Sequence, residues 1–231
     1  KKFCDIAIKL NNEDFVKIKN KWKEIDSEYN KCCDNNCINT NKPIGNCVKG
    51  FGFVNIISEE NIKYLSGRSA KYVRVYAENK FTKPQNSFKH FLYYFEVKCK
   101  FERELTTKQT FMSIGLKNCC TNNRIYYYTI NATIYNEKEA FILSTLINNN
   151  DIFGCGLVYP PTNMSNEFPY VFFTQNGKQI GKATLLKDNL DSYKPDVFLY
   201  CCSVEANFGN DLESKPFKYE ISKHEILKEF Y

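Results

Sequence analysis

From Phe51 onward the chain never sustains an apolar stripe at helical spacing. Short apolar runs follow one another instead, each ended by turn-forming residues: Val73–Ala77, Phe91–Phe101, Thr110–Leu116, Ile125–Tyr135, Phe141–Ile147, Ile152–Tyr159, Tyr170–Thr174, Val197–Val204 and Phe217–Ile221. Strand-length runs at this spacing predict antiparallel sheets stacked face to face, an all-β sandwich. Asn176-Gly177, between Tyr170–Gln175 and Lys178–Ile180, marks a type I′ hairpin, because both central residues of that turn take positive φ. The aromatic content of 16%, with 19 Phe and 16 Tyr against 1 Trp, suits a pleated surface on which flat rings pack well.

At 231 residues the chain is long enough to bury a sizeable core without a disulfide or metal staple. No stretch reaches the roughly 18 apolar residues of a membrane span, so no membrane association is expected. The net charge of +6 comes almost wholly from Lys, with Arg only at positions 68, 74, 103 and 124. Nucleic-acid sites favour clustered Arg and a more basic domain than a pI near 8.6, so nucleic acid is not an expected partner. The chain starts at Lys1 and not Met, which leaves room for a trimmed leader or upstream segment.

Two alternating runs open the chain: Cys4, Ile6, Ile8 and Leu10, then Val16, Ile18 and Trp22 after the polar break Asn11–Asp14. They predict a hairpin, with a helix from Asp14 as the rival, since Phe15, Ile18, Trp22 and Ile25 also fit a helical stripe. Trp22 is expected to lie outside the main core. Residues 27–50 read as a polar connector, and Ser222 with Glu225 three residues on has capping-box spacing for a short terminal helix. The expected organisation is an extension over 1–49, a sandwich over 50–222 and a tail over 223–231.

Eleven cysteines are an odd count for a disulfide framework. Cys99, Cys155, Cys201 and Cys202 sit in apolar runs and read as small buried hydrophobes. Cys32, Cys33, Cys37 and Cys47 lie in polar, Asn-rich sequence without a nearby His, the two being His90 and His224. A local disulfide from Cys37 to Cys32, Cys33 or Cys47 in an oxidising compartment, ordinary thiols in a reducing one, and zinc all remain open there, with no metal expected.

Specific residues then carry a resemblance. Tyr93-Tyr94-Phe95-Glu96-Val97 looks like the YYFEV strand of SPRY (B30.2-type) domains, and Ser113-Ile114-Gly115-Leu116 like the strand after it. Asp151-Ile152-Phe153-Gly154-Cys155-Gly156 resembles the D-x-x-G-C-G turn, Phe172 to Gly181 the F-F-T-x-N-G-x-x-x-G hairpin, and Asn207-Phe208-Gly209 with Pro216-Phe217-Lys218-Tyr219 the closing motif. These follow in order over about Gly50–Ile221. The resemblance implies a concanavalin-like antiparallel jelly roll acting as a non-catalytic adaptor, often toward ubiquitin ligases or scaffolds. The chain departs from the pattern after Leu116, where Lys117–Arg124 lacks the usual Gly-Trp, and in the long polar insertion Pro160–Pro169. The Asn- and Lys-rich composition with a Cys-rich leader is also similar to the expanded SPRY families of plant-parasitic nematodes, some of them secreted effectors. The implied setting is the cytoplasm, or secretion and action inside a host cell.

Nothing in the motifs supplies catalysis. His90 and His224 have no adjacent nucleophile motif, Gly67-Arg68-Ser69-Ala70-Lys71 lacks the second glycine of a nucleophile elbow, and no glycine loop cradles phosphate. The expectation is a monomer, without cofactor, that binds a protein or short peptide through loops at one end of a rigid sandwich. The alternative is a lectin-like carbohydrate binder. The resemblance places the partner surface on three loops: Arg74, Tyr76, Glu78, Asn79 and Lys80; Asn118, Asn122 and Arg124; and Tyr200, Cys201 and Ser203. Arg74, Tyr76, Arg124 and Tyr200 are the expected anchors, because Tyr and Arg make large desolvated contacts. Alanine at Arg74 or Arg124 is then expected to weaken binding without loss of stability. Asn131-Ala132-Thr133 and Asn163-Met164-Ser165 fit the N-glycosylation pattern.

Overall fold

The computed structural model describes residues 8–9, 15–26, 31–35, 37, 50, 52–65, 67, 69–102, 110–137, 139–164, 167–186 and 192–226. Among the described residues the strands are β1 (Ile8–Lys9), β2 (Trp22–Ile25), β3 (Phe53–Ile56), β4 (Asn61–Leu65), β5 (Val73–Ala77), β6 (Phe81–Thr82), β7 (Phe91–Phe101), β8 (Phe111–Asn118), β9 (Arg124–Tyr128), β10 (Thr133–Asn136), β11 (Glu139–Ile142), β12 (Ile152–Tyr159), β13 (Tyr170–Gln175), β14 (Lys178–Leu185), β15 (Ser192–Tyr200), β16 (Cys202–Asn207) and β17 (Glu225–Ile226). Seven form one sheet in the order β14-β13-β12-β7-β16-β4-β3. Eight form the other, β11-β10-β9-β8-β15-β5-β2 with β6 also on β15. The named strand pairings are antiparallel, as the run spacing predicts.

Alternation fills the space between the sheets. Phe95, Val97, Cys155 and Phe173 from one sheet meet Val75, Ile114, Leu116, Tyr127 and Val197 from the other in a single core cluster. Cys99, Cys155, Cys201 and Cys202 are buried, as expected. Strand β7 is buried on both faces: Phe95 enters this core while Tyr94, Leu92 and Phe172 form a second cluster on the outer face of the seven-stranded sheet. Residues 217–226 cover that second cluster. The carboxylate of Glu96 accepts backbone N–H groups of Lys218 at 2.8 Å and Tyr219 at 2.9 Å. His224 stacks on Phe172 at 4.1 Å and holds the hydroxyls of Tyr170 and Tyr219, each at 2.8 Å.

The turn at Asn176-Gly177 has φ of 51° and 82°, the I′ geometry. Asp151 locks it, accepting from Asn176 Nδ2 at 2.8 Å and from Gln175 Nε2 at 2.9 Å. Gly115 of β8 lies so close to β9 that a Cβ there would strike the Ile125 carbonyl and the Tyr126 side chain.

Several local expectations are corrected. The opening runs do not form a hairpin: β1 pairs with β17, and β2 forms the edge of the eight-stranded sheet against β5. No helix follows Asp14 over the described residues 15–26. Cys4, Ile6 and Leu10 lie outside the described residues, as do Cys47, Arg68 and Arg103. Trp22 belongs to the core, 2% exposed, with its Nε1 donating to the Glu60 carbonyl at 3.0 Å and its ring edge-on to Phe208. Ile221–Lys223 is one 3-10 turn without a side-chain cap, followed by β17 and not a helix, because burying His224 and Ile226 outweighs the capping pattern. The run Phe141–Ile147 reaches only Ile142 as a strand, and Ile142 and Leu146 are 81% and 80% exposed. Asn131 stands in a turn, not a strand, and Ser165 of the second glycosylation tripeptide is outside the described residues. No helix among the described residues is long and apolar enough to cross a membrane.

Two outcomes follow from this packing. Gly115→Ala should cost about 1–3 kcal/mol, the range for overpacking a tight interior, read from urea unfolding midpoints. Burial pushes the His224 pKa from its ordinary 6.5 down to about 4, so the folded chain holds the ring neutral while the unfolded chain protonates it. The stability this adds is complete above about pH 6.5 and is lost as pH falls toward about 4, some 3 kcal/mol in all. Relative to His224→Gln, the wild type should therefore lose that margin between neutral pH and about pH 4; an unchanged difference across the window would contradict it.

Candidate partner-binding face

The outer face of the eight-stranded sheet is built by register. Val73, Val75 and Ala77 of β5 point into the core, so Arg74 and Tyr76 point out. On β15 the same alternation sends Val197 and Leu199 inward and Lys194, Asp196, Phe198 and Tyr200 outward. Asp196 stands opposite Tyr76 on one side and Gly115 on the other, and Gly115 in turn stands opposite Tyr126. Phe198 stands between Arg74 and Ser113, and Tyr200 opposite Phe111. Lys117 faces both Lys194 and Arg124.

At the centre is a charged cluster. Arg74 Nη1 donates to Asp196 Oδ2 at 2.8 Å, with side chains only 14% and 1% exposed. Burial raises the Asp196 pKa, and the Arg74 and Arg124 charges oppose that rise. Arg124 Nη2 donates to the Tyr76 hydroxyl at 2.5 Å, and that hydroxyl donates to Asp26 Oδ2 at 2.8 Å. Burial, reinforced by the Asp26 hydrogen bond, pushes the Tyr76 pKa up to about 12, so the phenol stays protonated. Lys117 lies over the Tyr76 ring at 5.1 Å and Lys194 at 5.8 Å, cation–π contacts that orient both ammonium groups. Asp196 Oδ1 and Arg124 Nε are buried without a hydrogen-bond partner among the described residues.

Aromatic rings surround this cluster. Tyr72, 45% exposed, stacks on Phe198 at 5.6 Å and on Tyr200 at 4.7 Å. Phe111 stacks on Tyr200 at 5.0 Å and meets Tyr128 edge-on at 5.3 Å. Tyr126 stacks on Tyr135 at 5.2 Å, and the gap above Gly115 admits it. Tyr126, Tyr128, Tyr135, Phe198 and Tyr200 are half-buried, held against one another while each keeps part of its surface in solvent.

The structure thus gathers Arg74, Tyr76, Arg124 and Tyr200 on one face. Glu78 and Asn79 serve a neighbouring turn: Glu78 pairs with Lys21 at 3.3 Å, and Asn79 bonds Asn20 Oδ1 and the Lys19 carbonyl. Lys80 is exposed beside them. Asn118 Oδ1 accepts from the N–H groups of Cys120 and Thr121, and Asn122 takes φ 64°, so both shape the loop at the rim. Cys201 is buried at the sheet-to-sheet crossing with φ 56°. Ser203 belongs to the other sheet, bonded to Glu102 and to the Tyr64 N–H. Sequence reading missed Asp196, Tyr72, Tyr126 and Phe198. The continuous apolar run Val197–Tyr200 gives no sign of which residues face outward, and Asp196 precedes it.

This arrangement changes what Arg74 reports. Arg74→Ala strands a buried carboxylate, so it should destabilise the chain by about 3–5 kcal/mol, against about 1 kcal/mol or less for Arg124→Ala, whose charge is more exposed. Thermal unfolding of the two variants side by side checks this; equal losses would contradict it.

No family model matches the chain, and no curated protein matches it in sequence. Solved structures do. A human SPRY domain aligns over 69% of this chain and 97% of its own length, with a TM-score of 0.50 and 20% identity. The SPRY domain of human HERC1 aligns over 64% and 87%, with a TM-score of 0.44 and 13% identity. A carbohydrate-binding module from Bacillus subtilis aligns over 61% and 81%, with a TM-score of 0.37 and 5% identity. At such identities the likeness concerns architecture, and together with the two antiparallel sheets it gives this chain a SPRY-type β-sandwich fold.

Proposed function

We propose that this chain is a non-catalytic interaction module that binds an extended segment of a partner protein across the outer face of its eight-stranded sheet. The observation that carries the reading is the bed of half-exposed rings, Tyr72, Tyr126, Tyr128, Tyr135, Phe198 and Tyr200, set around the charges of Arg74, Asp196 and Arg124. Rigid aromatics present large contact area at small entropic cost, and buried charges beneath them fix orientation. The human SPRY domain of similar architecture supports a binding role by analogy of fold. A role as an adaptor of the ubiquitin-ligase kind, or as a secreted effector acting in a host cell, is the finer form of the same proposal.

The chemistry of the two histidines favours binding over catalysis. Both ring nitrogens of His224 are engaged by tyrosine hydroxyls, and His90 is buried. A sugar site of the alternative kind calls for an exposed tryptophan or a Ca2+-type carboxylate cluster near the loops, and the single tryptophan, Trp22, is in the core.

The test is selection of peptides from a displayed library on the purified chain, with a glycan array run alongside. Tyr72→Ala and Tyr126→Ala should each weaken a selected peptide by about 2 kcal/mol, roughly thirtyfold in Kd. Peptides that bind both variants as well as wild type, or ligands found only among glycans, would overturn the proposal.

A further inference from the structure

Cys32, Cys33 and Cys37 sit in polar sequence, yet the fold brings their sulfurs together. The Sγ atoms of Cys32 and Cys33 are 3.7 Å apart, those of Cys33 and Cys37 are 3.3 Å apart, and all three lie within 4.8 Å of one another. Sulfur ligands at the usual 2.3 Å from a tetrahedral zinc stand about 3.8 Å from each other. The three sulfurs are close enough together to be shared by one metal ion. A disulfide needs sulfurs near 2.0 Å and engages only two of them.

The setting differs from that of the other cysteines. Burial in apolar strands raises the Cys155 thiol pKa well above its ordinary value, and a hydrogen bond from Cys202 with burial does the same for Cys99. Neither is a ready thiolate. In the three-sulfur cluster, Cys32 is buried against the core, Cys33 is half-buried and Cys37 is exposed, which leaves the cluster open to solvent on one side. Lys71 Nζ donates to the carbonyl of Lys31 at 2.9 Å, and Lys31 Nζ pairs with Asp34 at 3.4 Å, so the segment is anchored beside the cluster.

We propose that Cys32, Cys33 and Cys37 form a trithiolate site for a thiophilic divalent ion, with Zn2+ as the type ion. Each thiol releases its proton to solvent as the ion binds, and the open side of the cluster leaves the fourth position to water or another donor. The ion would tie Cys32, Cys33 and Cys37 of the one segment together, beside the Lys71 ammonium that holds the Lys31 carbonyl.

The experiment uses the full chain, reduced, titrated with Co2+ and then with Zn2+. The wild type should take up one Co2+ with a thiolate-to-cobalt charge-transfer band that Zn2+ abolishes. The triple variant C32S/C33S/C37S should lose the band, while C119S/C120S, whose thiols lie in the Asn118–Arg124 loop, should keep it. Cys37 is exposed, so Cys37→Ser should leave the fold intact and still weaken Co2+ binding at least roughly tenfold. Absence of the band in the wild type, its survival in the triple variant or undiminished affinity in Cys37→Ser would overturn the site. So would a Cys33–Cys37 disulfide found by mass spectrometry in the protein handled the same way.

Discussion

The structure depends on the two-sided burial of β7. Tyr93, Phe95 and Val97 fill the space between the sheets, so Leu92, Tyr94 and Glu96 must face the other way and still be kept from water. A strand apolar on both faces is stable only when both faces are covered. One cover is the second sheet; the other is residues 217–226, held down by Glu96, Phe172 and Tyr170. The tail is therefore part of the sandwich in the physical sense, and the partnership of β17 with β1 brings the beginning of the chain to the same side.

The eight-stranded sheet solves the opposite problem. Nothing in the described chain covers its outer face, and alternation still places large rings there. They shield one another by stacking, and the charges between them are neutralised in the plane of the sheet, Arg74 by Asp196 and Arg124 near Asp26. Stability and recognition draw on the same residues, so substitutions on this face sort into those that break the charge cluster and those that only remove exposed ring.

The sandwich was legible because its signals are local. Run length, turn residues and the Asn176-Gly177 dipeptide each name a strand or hairpin without knowledge of the rest, and Tyr94-Phe95 shows both faces of β7 in two letters. What needed long-range pairing was hidden. Trp22 fits a strand and a helix equally, and only the pairing of β2 with β5, some fifty residues away, decides it. Ser222 and Glu225 spell a helix cap, but His224 between them has better partners in Tyr170 and Tyr219. Asp196 reads as one polar letter ahead of an apolar run until the pairing of β15 with β5 brings it diagonally into contact with Arg74. Cys32 is surrounded by polar neighbours in sequence and by core residues in space.

The β10–β11 hairpin ends the eight-stranded sheet with an open margin. β11 has one bonded neighbour, and every residue of it is exposed, Phe141 and Ile142 included. Such a margin is a template on which a second chain can add a strand and begin to aggregate. Here the template is only four residues long, and a very short edge strand offers a second chain little to pair with.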